Sequence, residues 1–416
     1  MVHQSQRSTD GVSSLWPAMN GYFLSFQEIP AHCQPQNKTQ QTVYQLLAGF
    51  DGTTSCEIRE FYRFNLHLAQ MNWREIQRPE FKLIYQACEA WARFQYEQAY
   101  TLMRVHLKRF PTDVIALYIL HMFEFCTGRT TRLLDVLEHC GAALPRTHAL
   151  YPFYLAIKSF VLCECQQYEP ALAAGWDSIE NCPDNVYGIH AIVHTLHETG
   201  QWEQIIEFLN HRASSWMNNP GMKIHICWHL VIAYEQNQMP EAALETFHTL
   251  CDMKETPFAK QDLDAVGFLW RLHLKQTDHG FQTQWQRLAT LWTGVIENSV
   301  SYLHKLHAAL SFSATKQPLL IEKLIAECDG FGIDPQTHRT GVAILRAIHQ
   351  LTLGQYQTCV SELEQSQQSW HLIGGSHAQR DILRLTKVYA AQHTTRPQYS
   401  ELMKDESYNK SPLSAA

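Results

Sequence analysis

The chain has 416 residues, of which 45% are hydrophobic and 18% charged, so it has ample material for a core and does not resemble a disordered protein. Its formal net charge of −7 excludes the broad basic surface that nucleic-acid binding usually requires. The first residues lack a secretory signal pattern, and no apolar stretch reaches membrane-spanning length. We therefore expect a cytoplasmic protein without nucleic acid or membrane as a partner.

Short segments recur along the chain at a constant interval. Three similar segments start at Glu97, Glu169 and Glu241, which are equally spaced. Tyr168 and Trp202 occupy equivalent points where one helix ends and the next begins, about half of that interval apart. A half-interval of about 34–36 residues is the period of tetratricopeptide repeats, in which each repeat is a pair of antiparallel helices.

Turn residues occur where this register requires them. Gly128 and Gly200 are separated by the same interval as the three segments, and each suits the left-handed conformation that closes a helix. Pro111 and Pro183 keep the same spacing, and each precedes polar residues that can cap the next helix. These signals predict first helices over 112–126, 147–164, 186–199 and 222–236, and second helices over 168–181, 202–216 and 241–252.

The predicted fold is an all-α solenoid of tetratricopeptide-like helical hairpins, with no β-strand pattern. The helical pattern continues with looser spacing beyond residue 258, and the segment from Leu353 to Tyr356 signals a further hairpin. Both termini, including residues 1–40, are polar enough that we expect poor order. The predicted parts are an N-terminal helical segment (1–80), repeats with a histidine cluster (81–255), C-terminal helical repeats (256–395) and a flexible tail (396–416).

Histidines form the most informative local pattern in the sequence. The twelve cysteines lack C-x-x-C pairs and are interpreted as free thiols, so they do not predict a metal site. His190 and His194 form one H-x-x-x-H couple, and His225 and His229 form another one repeat later. A spacing of four places both imidazoles of a couple on one helix face. First helices of neighbouring repeats run nearly parallel at about 8–10 Å. We therefore predict that the four rings converge on the concave wall.

One interpretation of the cluster is a metal site, with zinc as an example, because helical H-x-x-x-H presents two nitrogen ligands. His197 and Glu198 lie one turn further along the helix and could enlarge the cluster, and Glu235 offers another carboxylate. Ala191 and Ile226 follow the first histidine of each couple, so the general base of H-E-x-x-H zinc peptidases is missing.

Two other interpretations need no metal. The histidines can line a polar pocket for a small ligand or peptide, walled by Trp216, Trp228 and Tyr234. Alternatively, the histidines and aromatic residues pack between helices and satisfy one another. Asp264 and Arg271, which lie on one face of a predicted helix, are interpreted as an ion pair.

The central part of the chain, roughly residues 110–310, resembles the tetratricopeptide repeat protein 38 family. The matching stretches are His190-Ala-Ile-Val-His194, His225-Ile-Cys-Trp228-His229, Glu241-Ala-Ala-Leu244, Asp264-Ala265, Leu269-Trp270-Arg271-Leu272 and His307-Ala308, with His121 as a further correspondence. The resemblance implies a helical-repeat scaffold and nominates His190, His194, His225, His229 and His307 as one site. The chain departs from the family pattern at His197, Ile226 and Lys305, where the family has polar residues of other kinds.

The sequence leaves three functional hypotheses open. The first is a cytoplasmic binding scaffold whose histidine-rich concave site, including Trp228, receives a small ligand or a peptide. The alternative is a metal-dependent enzyme, an oxidoreductase or hydrolase, that uses the paired histidines as metal ligands. The third is an assembly adaptor that uses exposed helix faces and keeps the histidines as packing. The sequence does not indicate an oligomeric state.

Overall fold

The structure, a computed structural model, describes residues 9–255, 259–277, 280–328 and 334–394. These residues are mostly helical, and their only pairing of the β type is one isolated bridge between Glu57 and Ser299. The all-α prediction is therefore confirmed. Within the described ranges, no helix combines the length and the apolar character needed to cross a lipid bilayer.

The helices follow one another closely along the chain. The α-helices are α1 (Pro17–Leu24), α2 (Lys38–Thr53), α3 (Ile58–Gln70), α4 (Trp73–Ile76), α5 (Pro79–Ala92), α6 (Tyr96–Arg109), α7 (Val114–Cys126), α8 (Leu134–Ala143), α9 (Tyr151–Glu164), α10 (Tyr168–Asn181), α11 (Val186–Glu198), α12 (Trp202–His211), α13 (Ala213–Trp216), α14 (Lys223–Gln236), α15 (Pro240–Asp252), α16 (Leu263–Leu274), α17 (Gln282–Trp292), α18 (Val295–Asn298), α19 (Tyr302–Ala314), α20 (Pro318–Ala326), α21 (Pro335–Thr352), α22 (Tyr356–Ser366) and α23 (His377–Gln392). Short 3₁₀ helices span Gly11–Ser14, Ala31–Cys33, Thr130–Leu133, Ala259–Asp262 and Gln367–Ile373.

Successive helices pair as antiparallel hairpins, and each hairpin turn contains a residue with positive φ. The pairs that pack directly are α5–α6, α9–α10, α11–α12, α14–α15, α19–α20 and α21–α22; α7–α8 and α16–α17 follow the same order, with positive φ at Gly128 and Gln276 in their turns. Gly128 and Gly200 take this conformation, with φ of 69° and 67°, as the sequence predicts. In the turn after α11, the N–H of Gln201 donates to the carbonyl of Leu196 at 2.9 Å, which satisfies an orphan carbonyl of the helix end.

The predicted helices match the observed ones closely. The four predicted first helices are α7, α9, α11 and α14, and each boundary falls within four residues of its predicted position. Asp113 caps α7 by accepting from the N–H of Ala116, and Asn185 caps α11 by accepting from the N–H of Gly188. The predicted second helix 202–216 is divided into α12 and α13, with Arg212 between them.

The inner wall of the superhelix, formed by the first helices of the hairpins, is covered by the chain itself. All thirteen residues of α11 are buried, whereas an open solenoid would expose one face of such a helix. The C-terminal helix α23 packs on this wall. Trp270 Nε1 donates to Thr386 Oγ1 at 2.9 Å, and a guanidinium nitrogen of Arg271 donates to the carbonyl of Ala378 at 3.2 Å. The concave groove predicted from sequence is therefore not open here.

The N-terminal segment is ordered and tied to the repeats. The Asp113 carboxylate accepts from the N–H of Val12 and the hydroxyl of Ser13, both at 2.7 Å. Asn219 Nδ2 donates to the carbonyl of Ser25 at 2.8 Å. The prediction that residues 1–40 are poorly ordered is therefore wrong from residue 9 onward. Residues 1–8 and the predicted tail 396–416 lie outside the described residues.

The N-terminal segment also meets the region that precedes α19. The N–H of Val300 donates to the carbonyl of Cys56 at 3.0 Å, beside the bridge between Glu57 and Ser299. Cys56 lies in the turn between α2 and α3, more than half the chain away from its partner in sequence. Contacts between segments so distant in sequence close the superhelix on itself.

Candidate metal centre

Four histidines from two neighbouring helices form a compact group. His190 and His194 lie on α11, and His225 and His229 lie on α14. One ligand atom from each of the four lies within 4.8 Å of the corresponding atom of every other. The ring centroids of His190 and His225 are 5.0 Å apart, and those of His194 and His229 are 4.5 Å apart. The structure thus brings together the two couples that the sequence places side by side.

The two couples differ slightly in repeat register. The turns that close α11 and α14 contain Gly200 and Gln238, and the interval between these two residues is three positions longer than the interval between the histidine couples. At about 100° per residue, this difference of three rotates one couple by about 60° relative to the other. The two couples therefore stand at different positions relative to the turns that follow their helices.

Several nitrogens in the group are buried without a hydrogen-bond partner. Both ring nitrogens of His190 and Nδ1 of His194 are in this state. His194 and His229 are fully buried, His190 is buried, and the side chain of His225 retains 18% of its exposure. Buried polar atoms normally have a partner, because leaving one unsatisfied costs about 1–3 kcal/mol. The group therefore has unused ligand capacity.

The remaining nitrogens are close enough to act as ligands of one ion. Nε2 of His194 and Nε2 of His229 are 3.3 Å apart. Tetrahedral zinc with zinc–nitrogen bonds of about 2.0–2.1 Å would place neighbouring ligand nitrogens about 3.3 Å apart. The observed distance fits one edge of such a tetrahedron. Nδ1 of His229 lies 3.2 Å from Nδ1 of His197. This contact would fix the orientation of the His229 ring while its Nε2 binds the ion.

A carboxylate orients the fourth histidine. Nδ1 of His225 lies 3.0 Å and 3.1 Å from the two carboxylate oxygens of Asp264, on α16. A carboxylate behind a histidine fixes its tautomer and leaves Nε2 available for a metal. Asp264 therefore supports the site, and the predicted ion pair with Arg271 is not its main contact. The sequence separation of His225 and Asp264, which is close to one repeat, could have indicated this pairing.

Trp228 and Arg271 form one border of the cluster. Trp228 stacks on His225 with 5.4 Å between ring centroids, and its buried Nε1 has no partner. The guanidinium of Arg271 lies 5.6 Å from the Trp228 ring. His307 lies beyond this border, outside the group of four, and its Nδ1 donates to the carbonyl of Leu303 at 2.8 Å. A Cβ on Gly267 would lie 3.7 Å from Trp228 Nε1 and 3.9 Å from His307 Nε2, so His307 is a neighbour of the site.

Burial favours the neutral form of His190, His194, His197 and His229. It lowers the pKa of His190, His194 and His229 well below the usual value, and the neighbouring histidines lower these pKa values further. Burial also lowers the pKa of His197 to about 3, with an added effect of the Arg271 charge. Neutral imidazole is the form that binds a metal, so no proton has to leave these rings at pH 7.

Other residues that the sequence proposed for the site have different partners. Trp216 Nε1 donates to the carbonyl of Leu209, Tyr234 accepts from Asn210, and Glu235 pairs with Lys275. Glu198 is buried, and burial raises its pKa to about 8, with further increases from Glu164 and Asp381. His121, on α7, bonds to the hydroxyl of Tyr187 and not to the four histidines. The cluster therefore consists of the two couples, His197, Trp228 and Asp264.

No protein-family model matches the sequence. Among solved structures, the crystal structure of the P58(IPK) TPR domain aligns with 76% of this chain and 99% of its own chain. The alignment has 11% sequence identity and a TM-score of 0.24, so it carries no conclusion about function. The helical-hairpin fold rests on the helices and turns of the chain itself, and membership of the tetratricopeptide repeat protein 38 family stays a prediction.

Proposed function

We propose that this chain is a helical-repeat protein that binds one divalent transition-metal ion through His190, His194, His225 and His229. The observation that carries the proposal is the set of buried, unpartnered nitrogens on His190 and His194 within a group of four converging imidazoles. An ion bound to one nitrogen of each ring would give His190 a partner and would link α11 to α14, the first helices of two successive hairpins. Binding free energy would then stabilise the repeat stack.

Zinc is the ion that best fits the donor set. Four imidazole nitrogens provide borderline ligands, which suit zinc and copper and do not suit calcium or magnesium. Zinc prefers four ligands in a tetrahedron, and the 3.3 Å separation of the Nε2 atoms of His194 and His229 agrees with that geometry. Asp264 and His197 would hold two of the ligand rings in place.

Four protein ligands favour a structural or regulatory ion over a catalytic one. A catalytic zinc keeps one coordination position for water or substrate, whereas a site with four protein ligands is closed. Three of the four histidines are buried, and α23 covers the inner wall of the repeats nearby. A metal-dependent enzyme would require one histidine to leave the ion, and His225, which is partly exposed, is the one best placed to do so.

Partner binding is a second function that a specific observation favours. Helical-hairpin solenoids commonly serve as protein-binding scaffolds. Tyr62, Leu66 and Trp73 are exposed by 57%, 63% and 70% and lie close together in sequence on α3 and α4. Exposed apolar groups of this kind mark interaction surfaces. Affinity purification with wild type and a Leu66→Glu, Trp73→Ser variant tests this function, and an unchanged set of partners would contradict it.

Metal stoichiometry tests the first proposal. The purified chain is stripped with a chelator, dialysed against zinc and analysed by elemental mass spectrometry. We expect one tightly bound zinc per chain, and none in a His194→Ala, His229→Ala variant. A His139→Ala, His211→Ala variant, which changes two exposed histidines, is the matched control and should keep its zinc. Wild type that takes up no metal would sink the proposal.

A further inference from the structure

A polar cavity lies where the turns of two hairpins meet the C-terminal helix. It measures about 430 Å³ and lies among the α16–α17 turn, α17, the α19–α20 turn and α23. Its lining includes the polar and aromatic side chains of His273, Gln276, Gln282, Gln286, Lys316 and Tyr389. None of the four clustered histidines is among its described lining residues. Small-molecule sites typically measure about 300–1,000 Å³, so this cavity has the size of a ligand site.

Two hairpin turns and one helix face supply the polar side chains of the cavity. Gln276 and Lys316 occupy equivalent positions in the turns that close α16 and α19, with φ of 58° and 55°. Glycine takes this conformation most readily and holds the same position in other hairpins of the chain. Gln282 and Gln286 are four residues apart on α17 and therefore lie on one face of that helix. Backbone geometry thus places four long polar side chains around one space.

The hydrogen-bonding groups of these side chains are available to a ligand. The three glutamines and Lys316 are exposed, so the cavity opens to solvent. Within the described part of the chain, the three amides and the ammonium group have no hydrogen-bond or ion-pair partner. A side-chain amide both donates and accepts hydrogen bonds, as a hydroxyl group does. Three such amides around one cavity therefore suit a ligand that carries several hydroxyl groups.

The charge of the cavity is opposite in sign to that of the chain. The formal net charge of the whole chain is −7, whereas Lys316 brings a positive charge to the cavity. Among the described residues that line the cavity, none has a carboxylate that would neutralise this lysine. A positively charged group in a concave site attracts ligands of the opposite charge. The lining therefore favours a ligand that carries an anionic group in addition to its hydroxyl groups.

We propose that the cavity binds a small polyhydroxylated anion, for which sugar acids and sugar phosphates are two sources. The Lys316 ammonium would bind the anionic group, and the glutamine amides would bind the hydroxyl groups. His273 stacks on Trp270 with 5.1 Å between ring centroids, and the Tyr389 ring lies 4.3 Å from that of His393. These packed rings give the carbon skeleton of the ligand an apolar contact. Binding here requires no metal and is independent of the histidine cluster.

Isothermal titration calorimetry of the full-length protein tests the proposal. The protein is titrated in turn with gluconate, glucose 6-phosphate, glucose and inorganic phosphate. We expect gluconate or glucose 6-phosphate to bind, and the stronger of the two indicates whether the anionic group is a carboxylate or a phosphate. Glucose and inorganic phosphate each have one part of this chemistry and should bind at least about tenfold more weakly. Equal binding of inorganic phosphate, or no binding of either polyhydroxylated anion, would overturn the proposal.

Variants at the turns locate the ligand without endangering the fold. Lys316→Gly removes the ammonium group at a positive φ that suits glycine, so the turn should form and the affinity should fall by about 10–100-fold. Lys316→Arg keeps the charge and should retain most of the affinity. Gln238→Gly, at the equivalent position of the α14–α15 turn outside the cavity, is the matched control and should bind as wild type does. The His194→Ala, His229→Ala variant should also bind the anion, and an unchanged affinity in Lys316→Gly would contradict the proposed site.

Discussion

Two buried histidine sites in this protein differ in how their polar groups are satisfied. His106 and His194 are both fully buried. Nε2 of His106 lies 2.9 Å from the Asp113 carboxylate, which also accepts from the N–H of Val12 and the hydroxyl of Ser13. The four clustered histidines instead face mainly one another, and three of their nitrogens have no partner. Equal burial of the same residue type therefore accompanies two different roles.

His106 has the contacts of a structural histidine, whereas the four clustered histidines have the arrangement that we propose for ligand binding. The Asp113 carboxylate obtains its partners from within the chain, and His106 binds it through Nε2, while Nδ1 of His106 has no partner. In the cluster, His225 pairs with Asp264, and His229 lies at hydrogen-bond distance from His194 and His197. Both ring nitrogens of His190 and Nδ1 of His194 have no partner within the chain. Removing a group from the first site should cost fold stability, whereas removing a group from the second should cost binding.

The largest expected effect is at Asp113. Asp113→Ala removes the cap of α7 and the partner of four other groups, so we expect a loss of about 3–5 kcal/mol in the free energy of unfolding. Urea denaturation measures this loss, with or without zinc. Asp135→Ala, at an exposed carboxylate that pairs with Arg104, should change the stability by less than about 0.5 kcal/mol. Equal effects of the two variants would break the comparison.

A smaller effect is expected at Asp264, which supports the cluster without binding the ion. Asp264→Asn keeps the shape of the side chain but weakens the orientation of His225, so zinc affinity should fall by about 10–100-fold. Competition titration with a chromogenic chelator measures the affinity. Asp262→Asn, at a neighbouring carboxylate that pairs with Lys254, is the control and should bind as wild type does. An unchanged affinity in Asp264→Asn would remove this residue from the site.

The smallest effect concerns the pH dependence of the metal-free protein. Burial lowers the folded-state pKa of His190, while an unfolded histidine titrates near about 6.5. The unfolded state therefore binds more protons, so stability is fully present above that pH and falls as the pH drops below it. His190→Leu should make the decline between pH 6.5 and 5 shallower by up to about 1.4 kcal/mol per pH unit.

Urea midpoints at several pH values measure this slope. His139→Leu changes an exposed histidine and should leave the slope unchanged. A His190→Leu slope equal to that of wild type would mean that His190 is not held neutral by burial. His190 would then resemble an exposed histidine, and the contrast between the cluster and the Asp113 site would weaken.

Local sequence signals predicted the hairpins but not what covers them. The periodic turn residues, such as Gly128 and Gly200, specify helix ends within a few residues and therefore the repeat. Arg380 reaches Glu164 across 216 positions, and contacts of this kind bring α23 onto the inner wall. Such pairings leave no periodic trace in the sequence. The sequence therefore predicted an open groove, whereas in the structure α23 packs on its wall.

The sequence predicted the four histidines of the candidate site better than the residues that hold these histidines in place. Spacing alone brought His190 and His194 beside His225 and His229. The role of Asp264 was missed because its helical spacing to Arg271 suggested an ion pair, while its contact with His225 depends on the packing of α14 against α16. Unpartnered nitrogens, which carry the metal proposal, can be recognised only when all neighbours are placed.

X-ray absorption spectroscopy of the zinc-loaded protein tests the central claim most directly, because it measures the ligands around the ion. We predict four nitrogen ligands at about 2.0–2.1 Å with the outer-shell scattering of imidazole rings. The His194→Ala, His229→Ala variant should retain no zinc and should therefore give no such spectrum. Sulfur ligands at about 2.3 Å, or a shell dominated by water oxygen, would contradict this prediction.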